Sequence, residues 1–105
     1  NQIMLHLYES CSESIKAAAL LRELSQPQRI MILICLSDGL KKVSDIELET
    51  KICQPALSQQ LCRLRKSGFV IRTRRSRDVY YAISNKRSFD CVNLIKIMNM
   101  STKYD

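Results

Sequence analysis

The residues with the most evident chemistry lie in one segment, Lys51 to Arg77, which reads K-I-C-Q-P-A-L-S-Q-Q-L-C-R-L-R-K-S-G-F-V-I-R-T-R-R-S-R. Lys51, Arg63, Arg65, Lys66, Arg72, Arg74, Arg75 and Arg77 are basic, and no Asp or Glu stands among them. Ser58, Gln59, Gln60 and Arg63 lie off the apolar stripe made by Leu57, Leu61 and Leu64, which recurs at i, i+4 and i+7. Such side chains suit an anionic, hydrogen-bonding partner. Gln matches adenine N6 and N7, and Arg matches guanine O6 and N7. Arg74, Arg75 and Arg77 suit phosphates or a narrow minor groove, where they add salt-dependent affinity rather than major-groove readout.

The elements that must position these groups follow from local signals. Pro55 suits a first helical position, where its missing N–H costs nothing, so a helix is predicted over 54–66. Gly68 stands where a helix end favours positive φ. The β-rich runs Phe69–Thr73 and Val79–Ile83 flank R-R-S-R-D, a hairpin with an arginine-rich tip. Upstream, 43–50 reads as a short helix that begins near Ser44. Two short helices joined tightly, the second basic and polar outward, make a helix-turn-helix, and a basic hairpin directly after it is a wing.

The rest of the chain frames this unit. Residues 1–7 read as a frayed, disordered start, and 8–24 as a helix with Ile15, Ala18, Ala19, Leu20 and Leu21 on its apolar side. Ser25 is a candidate cap for a helix over 26–37 whose I-M-I-L-I-C-L core is apolar all round, which predicts burial. Asn85 or Ser88 starts a last helix reaching about Asn99. Its Phe89, Val92, Leu94, Ile95, Ile97 and Met98 exceed what a small monomer hides, so the first and last helices are expected to form a homodimer interface. The expected fold is mainly α with a small β-hairpin, a winged helix-turn-helix of order αααα-ββ-α in one domain, 1–105.

Composition narrows the function. A net charge of +7 and a pI near 9.4 call for an anionic partner. Seven of the ten acids precede Lys51, so the basic excess is concentrated as on a polyelectrolyte-binding face. No apolar run approaches the ~20 residues of a membrane span. Five cysteines at irregular spacings, with no C-x-x-C, do not make a disulfide framework or a zinc finger, so a reducing cytoplasm is expected. One histidine, His6, and no Gly-rich phosphate loop or nucleophile motif argue against an enzyme. No metal site and no cofactor are implied, and Met31, Met98 and Met100 read as core or interface filling. The competing reading is a winged-helix module docking an acidic protein, which the outward Ser/Gln/Gln/Arg set disfavours.

The segments S-Q-P-Q-R-I-M-I-L, Q-P-A-L-S-Q-Q-L-C-R-L-R-K-S-G-F-V and V-Y-Y-A-I resemble the ArsR/SmtB family of small dimeric repressors over about residues 15–100. Within it, Q-P-x-L-S-Q-Q-L looks most like the branch of BigR and HlyU type that senses reactive sulfur or oxidants. The resemblance implies that Ser58, Gln59 and Gln60 enter the major groove of double-stranded DNA, with Gln54 and Arg63 beside them, and that the wing touches backbone or minor groove. It also implies an inducer that releases DNA. The branch places one cysteine in the second helix and one near the end of the last. Here Cys35 falls one position later than that pattern, with Ile34 in the expected place, and Cys91 lies near the start of the last helix. Cys35 and Cys91 are the candidate thiol switch. Their other reading is as small buried hydrophobes.

Overall fold

In the computed structural model, backbone is described for residues 1–104 and side chains for 1–100. Five helices and three short strands run in the order α1 (Gln2–Leu24), α2 (Pro27–Leu36), β1 (Lys41–Lys42), α3 (Val43–Thr50), α4 (Ala56–Lys66), β2 (Val70–Arg75), β3 (Asp78–Ile83) and α5 (Lys86–Tyr104). The strands form one antiparallel sheet of order β1-β3-β2, in which Lys41 pairs with Tyr81 and Arg75 with Asp78. This is the winged helix-turn-helix expected, with one added strand.

The core is built from the apolar stripes. Ile32, Leu33 and Leu36 of α2 meet Ile46 of α3, Leu57, Leu61 and Leu64 of α4, Phe69, Tyr81 and Ile83 of the wing's base, and Val92 of α5. Residue 68 closes α4 as Gly predicts: at φ 84° it lets Phe69 N–H reach Leu64 O at 2.9 Å while its own N–H bonds Arg65 O at 3.1 Å.

Several expectations are corrected. Residues 2–7, read as a frayed start, lie in α1, because the Asn1 side chain accepts the Ile3 N–H at 2.8 Å and Leu5 N–H bonds Asn1 O. Ser25 ends α1 by bonding Arg22 O, and Gln26 caps α2 by accepting the Arg29 N–H at 3.0 Å. The second helix is not buried all round. Met31 is exposed, and Ile30, Ile34 and Cys35 are half-buried, since none of the described residues fully covers that side. Pro55 is the residue before the first turn of α4 rather than within it, after a cis Gln54–Pro55 bond. The Lys41–Lys42 strand had no sequence signal, because lysine is a poor strand former and only pairing with Tyr80 and Tyr81 makes it one. The last helix is capped by Asn85, which accepts the Ser88 N–H at 2.9 Å, and it runs to Tyr104.

Candidate nucleic-acid interface

α4 presents its polar side outward because the three leucines anchor the opposite one. At ~100° per residue, Gln59, Cys62 and Lys66 point most directly away from the core, with Ser58 to one side and Arg63 and Gln60 to the other. Gln59, Cys62, Arg63, Lys66 and Ser67, with Glu23 from α1, line an open hollow of about 500 Å³. Ser58 faces a second hollow of about 390 Å³ between helix and wing, where it is joined by Lys42, Ser44, Arg72 and Arg77.

The individual side chains differ in freedom. Gln54 accepts both the N–H (3.0 Å) and the hydroxyl (2.7 Å) of Ser58, so it supplies the side-chain cap that Pro55 cannot. Gln60 is half-buried. Its Oε1 accepts from Arg29 Nη1 at 3.1 Å, and its Nε2 donates to Gln28 Oε1 at 3.3 Å, which tie α4 to α2. Arg63 is paired with Glu23, Nε to Oε2 at 3.0 Å and Nη2 to Oε1 at 3.1 Å. The Arg63 guanidinium holds the Glu23 carboxyl below the ordinary carboxylate range. Gln59 is exposed; its backbone N–H bonds Pro55 O at 3.1 Å, and no hydrogen bond ties its side-chain amide to another described residue.

At the wing, β2 and β3 are joined by a two-residue loop, Ser76–Arg77, with Ser76 at φ 58°. Arg74, Arg75 and Arg77 are all exposed there. Arg74 Nε donates weakly to Ser76 O at 3.4 Å, and Arg75 lies 5.5 Å from the centre of the Tyr80 ring. Of the three, Arg77 lines the hollow that Ser58 of α4 faces, with Arg72 and Asp78 beside it. Sequence reading did not single out Lys42, Ser44, Glu23 or Arg29 as part of this region. The first two face it only because β1 pairs with β3, and the last two only because α1 and α2 pack beside α4.

The two candidate switch cysteines are free thiols, each half-buried against the core. Cys35 Sγ donates to Glu49 Oε2 at 2.8 Å, and Lys41 Nζ stands 3.7 Å from the sulfur and 2.5 Å from the same carboxylate oxygen. Burial, and then that hydrogen bond to a carboxylate, push the thiol up to about 11. The hollow onto which Cys35 opens is lined by Met31, Ile34, Asp38, Lys41, Glu49 and Thr50, and Cys91 is not among its walls. Among the described residues, no helix is long and apolar enough to cross a membrane.

Residues 26–72 match the family model described as "Bacterial regulatory protein, arsR family". The chain is 36% identical over 80 residues to the biofilm growth-associated repressor of Xylella fastidiosa, covering 76% of this chain and 70% of that one. It superposes on the crystal structure of the transcriptional repressor BigR from Xylella fastidiosa with a TM-score of 0.82 at 30% identity, covering 90% of this chain and 94% of the other. For reduced HlyU from Vibrio cholerae the TM-score is 0.80 at 29% identity, with coverage of 86% and 95%.

Proposed function

The chain belongs to the arsR family of bacterial regulatory proteins, and from that premise we propose that it is a dimeric repressor that reads an inverted repeat in double-stranded DNA and releases it when a thiol is modified. As a member of that family it is a transcriptional regulator rather than an enzyme. The observation that carries the DNA reading is the outward face of α4. Gln59, exposed and unengaged, stands beside Arg63, Ser58 and Lys66, with cations of the wing across the adjoining cleft. Ser58, Gln59 and Arg63 address base edges, with Gln54 fixing Ser58 and Gln60 bracing the helix beside them. Arg74, Arg75 and Arg77 hold phosphates or the minor groove. The two recognition helices of a dimer would meet half-sites about one helical turn apart.

Cys35 is the candidate place for the inducing event, modification by reactive sulfur or an oxidant. It opens onto a surface hollow on the helix that packs against α3 and α4, although burial and Glu49 hold its thiol protonated and slow its reaction. Cys91, half-buried on α5, is the candidate second thiol.

The test is affinity for duplexes selected from a randomised pool, in the presence of competitor DNA at fixed salt, with reduced protein and then after polysulfide or peroxide. Gln59→Ala with Arg63→Ala is expected to abolish sequence-dependent binding. Intact specific binding by that variant would show that α4 does not read the site. A tenfold or greater loss on thiol treatment, reversed by reductant and absent in Cys35→Ser, is expected. Full affinity after verified modification would refute the switch. Failure to select any sequence, together with tight binding to an acidic protein, would favour a protein-docking module instead.

A further inference from the structure

No acidic residue lies within the basic stretch from Lys51 to Arg77 until folding brings one to it. Glu23, at the end of α1, meets Arg63 with two parallel hydrogen bonds in the hollow shared with Gln59, Cys62 and Lys66. A carboxylate beside DNA-facing cations is repelled by phosphates, so attraction to a polyanion does not account for its place there. The geometry of the pair does. A guanidinium carries five N–H donors in a planar fork. Glu23 takes the side edge, Nε and one N–H of Nη2, and leaves the end edge formed by Nη1 and Nη2. That end edge still presents two parallel N–H donors, which match O6 and N7 of guanine.

Glu23 is itself held. Its side chain is 25% exposed against 58% for Arg63. Its backbone carbonyl accepts from Nε of the buried Arg29, whose Nη1 also bonds Gln60 of α4. The end of α1 and the recognition helix are thereby fixed to one guanidinium, and the carboxylate stands at a set position relative to α4.

We propose that Glu23 is a positioning residue for DNA specificity: it aligns the Arg63 guanidinium so that its end edge reads a guanine in each half-site. The inference rests on α4 being the reading helix. The opposite role, in which Glu23 sequesters Arg63 and merely weakens binding, makes the opposite prediction for discrimination.

The experiment uses the full chain and duplexes that the wild-type protein selects from a randomised pool, with each G·C pair of the half-site replaced in turn by A·T. Wild type is expected to lose about tenfold or more at one such position, and Arg63→Ala is expected to lose discrimination there and nowhere else. Glu23→Gln should bind non-specific DNA more tightly, having one negative charge fewer, yet discriminate at the Arg63-dependent position by less than about threefold. Glu23→Asp keeps the charge and shifts the carboxylate by one methylene, so discrimination should fall without the gain in non-specific affinity. Melting curves matching wild type establish that both variants fold. If Glu23→Gln tightens specific and non-specific binding alike and discriminates as wild type does, Glu23 is a brake and the proposal is wrong, while the reading of α4 stands. If Arg63→Ala changes no position, the assignment of Arg63 itself fails and the proposal falls with it.

Discussion

The Cys35 thiol shows how a neighbour outweighs residue type. Free cysteine reacts as thiolate, and burial together with the Glu49 carboxylate favours the protonated form here. Alkylation at neutral pH should therefore be slow at Cys35 and fast at the exposed Cys11, Cys53 and Cys62. Glu49→Gln removes the charge that repels the thiolate and leaves Lys41 beside the sulfur, so modification should accelerate. Mass spectrometry of timed alkylation measures both, and an unchanged rate would mean that burial alone sets the reactivity. The pH dependence has a definite sign. The folded thiol titrates near 11 against an ordinary 9.0, so the stability it contributes is complete below pH 9 and is lost as pH rises toward 11. Cys35→Ala should flatten that alkaline arm of the stability curve.

Two features hold the interface in shape and can be probed by substitution, one local in the chain and one not. Ser76 occupies the left-handed region at φ 58°, which costs an L residue about 1–2 kcal/mol. Glycine relieves that cost but adds freedom to the unfolded chain, worth about 0.5–1 kcal/mol. Ser76→Gly should raise stability by up to about 1 kcal/mol in urea unfolding and leave DNA affinity unchanged. The tie between α2 and α4 is the second case. Gln60→Ala leaves the Nη1 of a buried arginine without its partner, and an unsatisfied buried donor costs about 1–3 kcal/mol. A shift of the urea midpoint by that amount is expected, and no shift would show that water replaces the amide. The helix-turn-helix and wing were legible in the sequence because leucine spacing, Gly68 and alternating β-formers are local signals. The engagement of Gln60 with Arg29 joins residues 31 positions apart, and no periodicity carries it.

The whole molecule is less compact than its length allows. Its Cα radius of gyration is 16.5 Å, against about 13 Å for a globular chain of 100 residues. The reason is α1, in which only Leu24 is buried while Ile3, Met4, Leu5, Leu7, Tyr8, Ile15 and Leu21 are exposed. On α5, Leu94 and Ile97 are each 58% exposed. Exposed apolar side chains of this extent are what the dimer proposed above would cover. Ile97→Glu should leave the helix content intact, shift sedimentation from dimer to monomer at micromolar concentration, and lower affinity for a two-half-site operator by about a hundredfold or more. Charge acts at this scale too. If each of Arg74, Arg75 and Arg77 neutralises one phosphate, replacing all three by alanine should lessen the slope of log affinity against log salt by about 2.7. Discrimination between sequences should be retained, and an unchanged slope would place the wing away from the backbone.

The sequence by itself determined the family, the order of the principal helices and the wing, and the segment that carries the positive charge. These depend on spacing and capping between residues a few positions apart, which the chain states directly. Folding decided what each polar side chain is free to do. It set Glu23 against Arg63 across 40 positions, Arg29 against Gln60, and Glu49 against Cys35. It also turned two lysines into a strand by pairing them with Tyr80 and Tyr81. Such partners are chosen by the packing of α1, α2 and α3 around α4. A hydrogen bond between side chains depends on that packing to within an ångström, a precision that residue type and spacing do not encode.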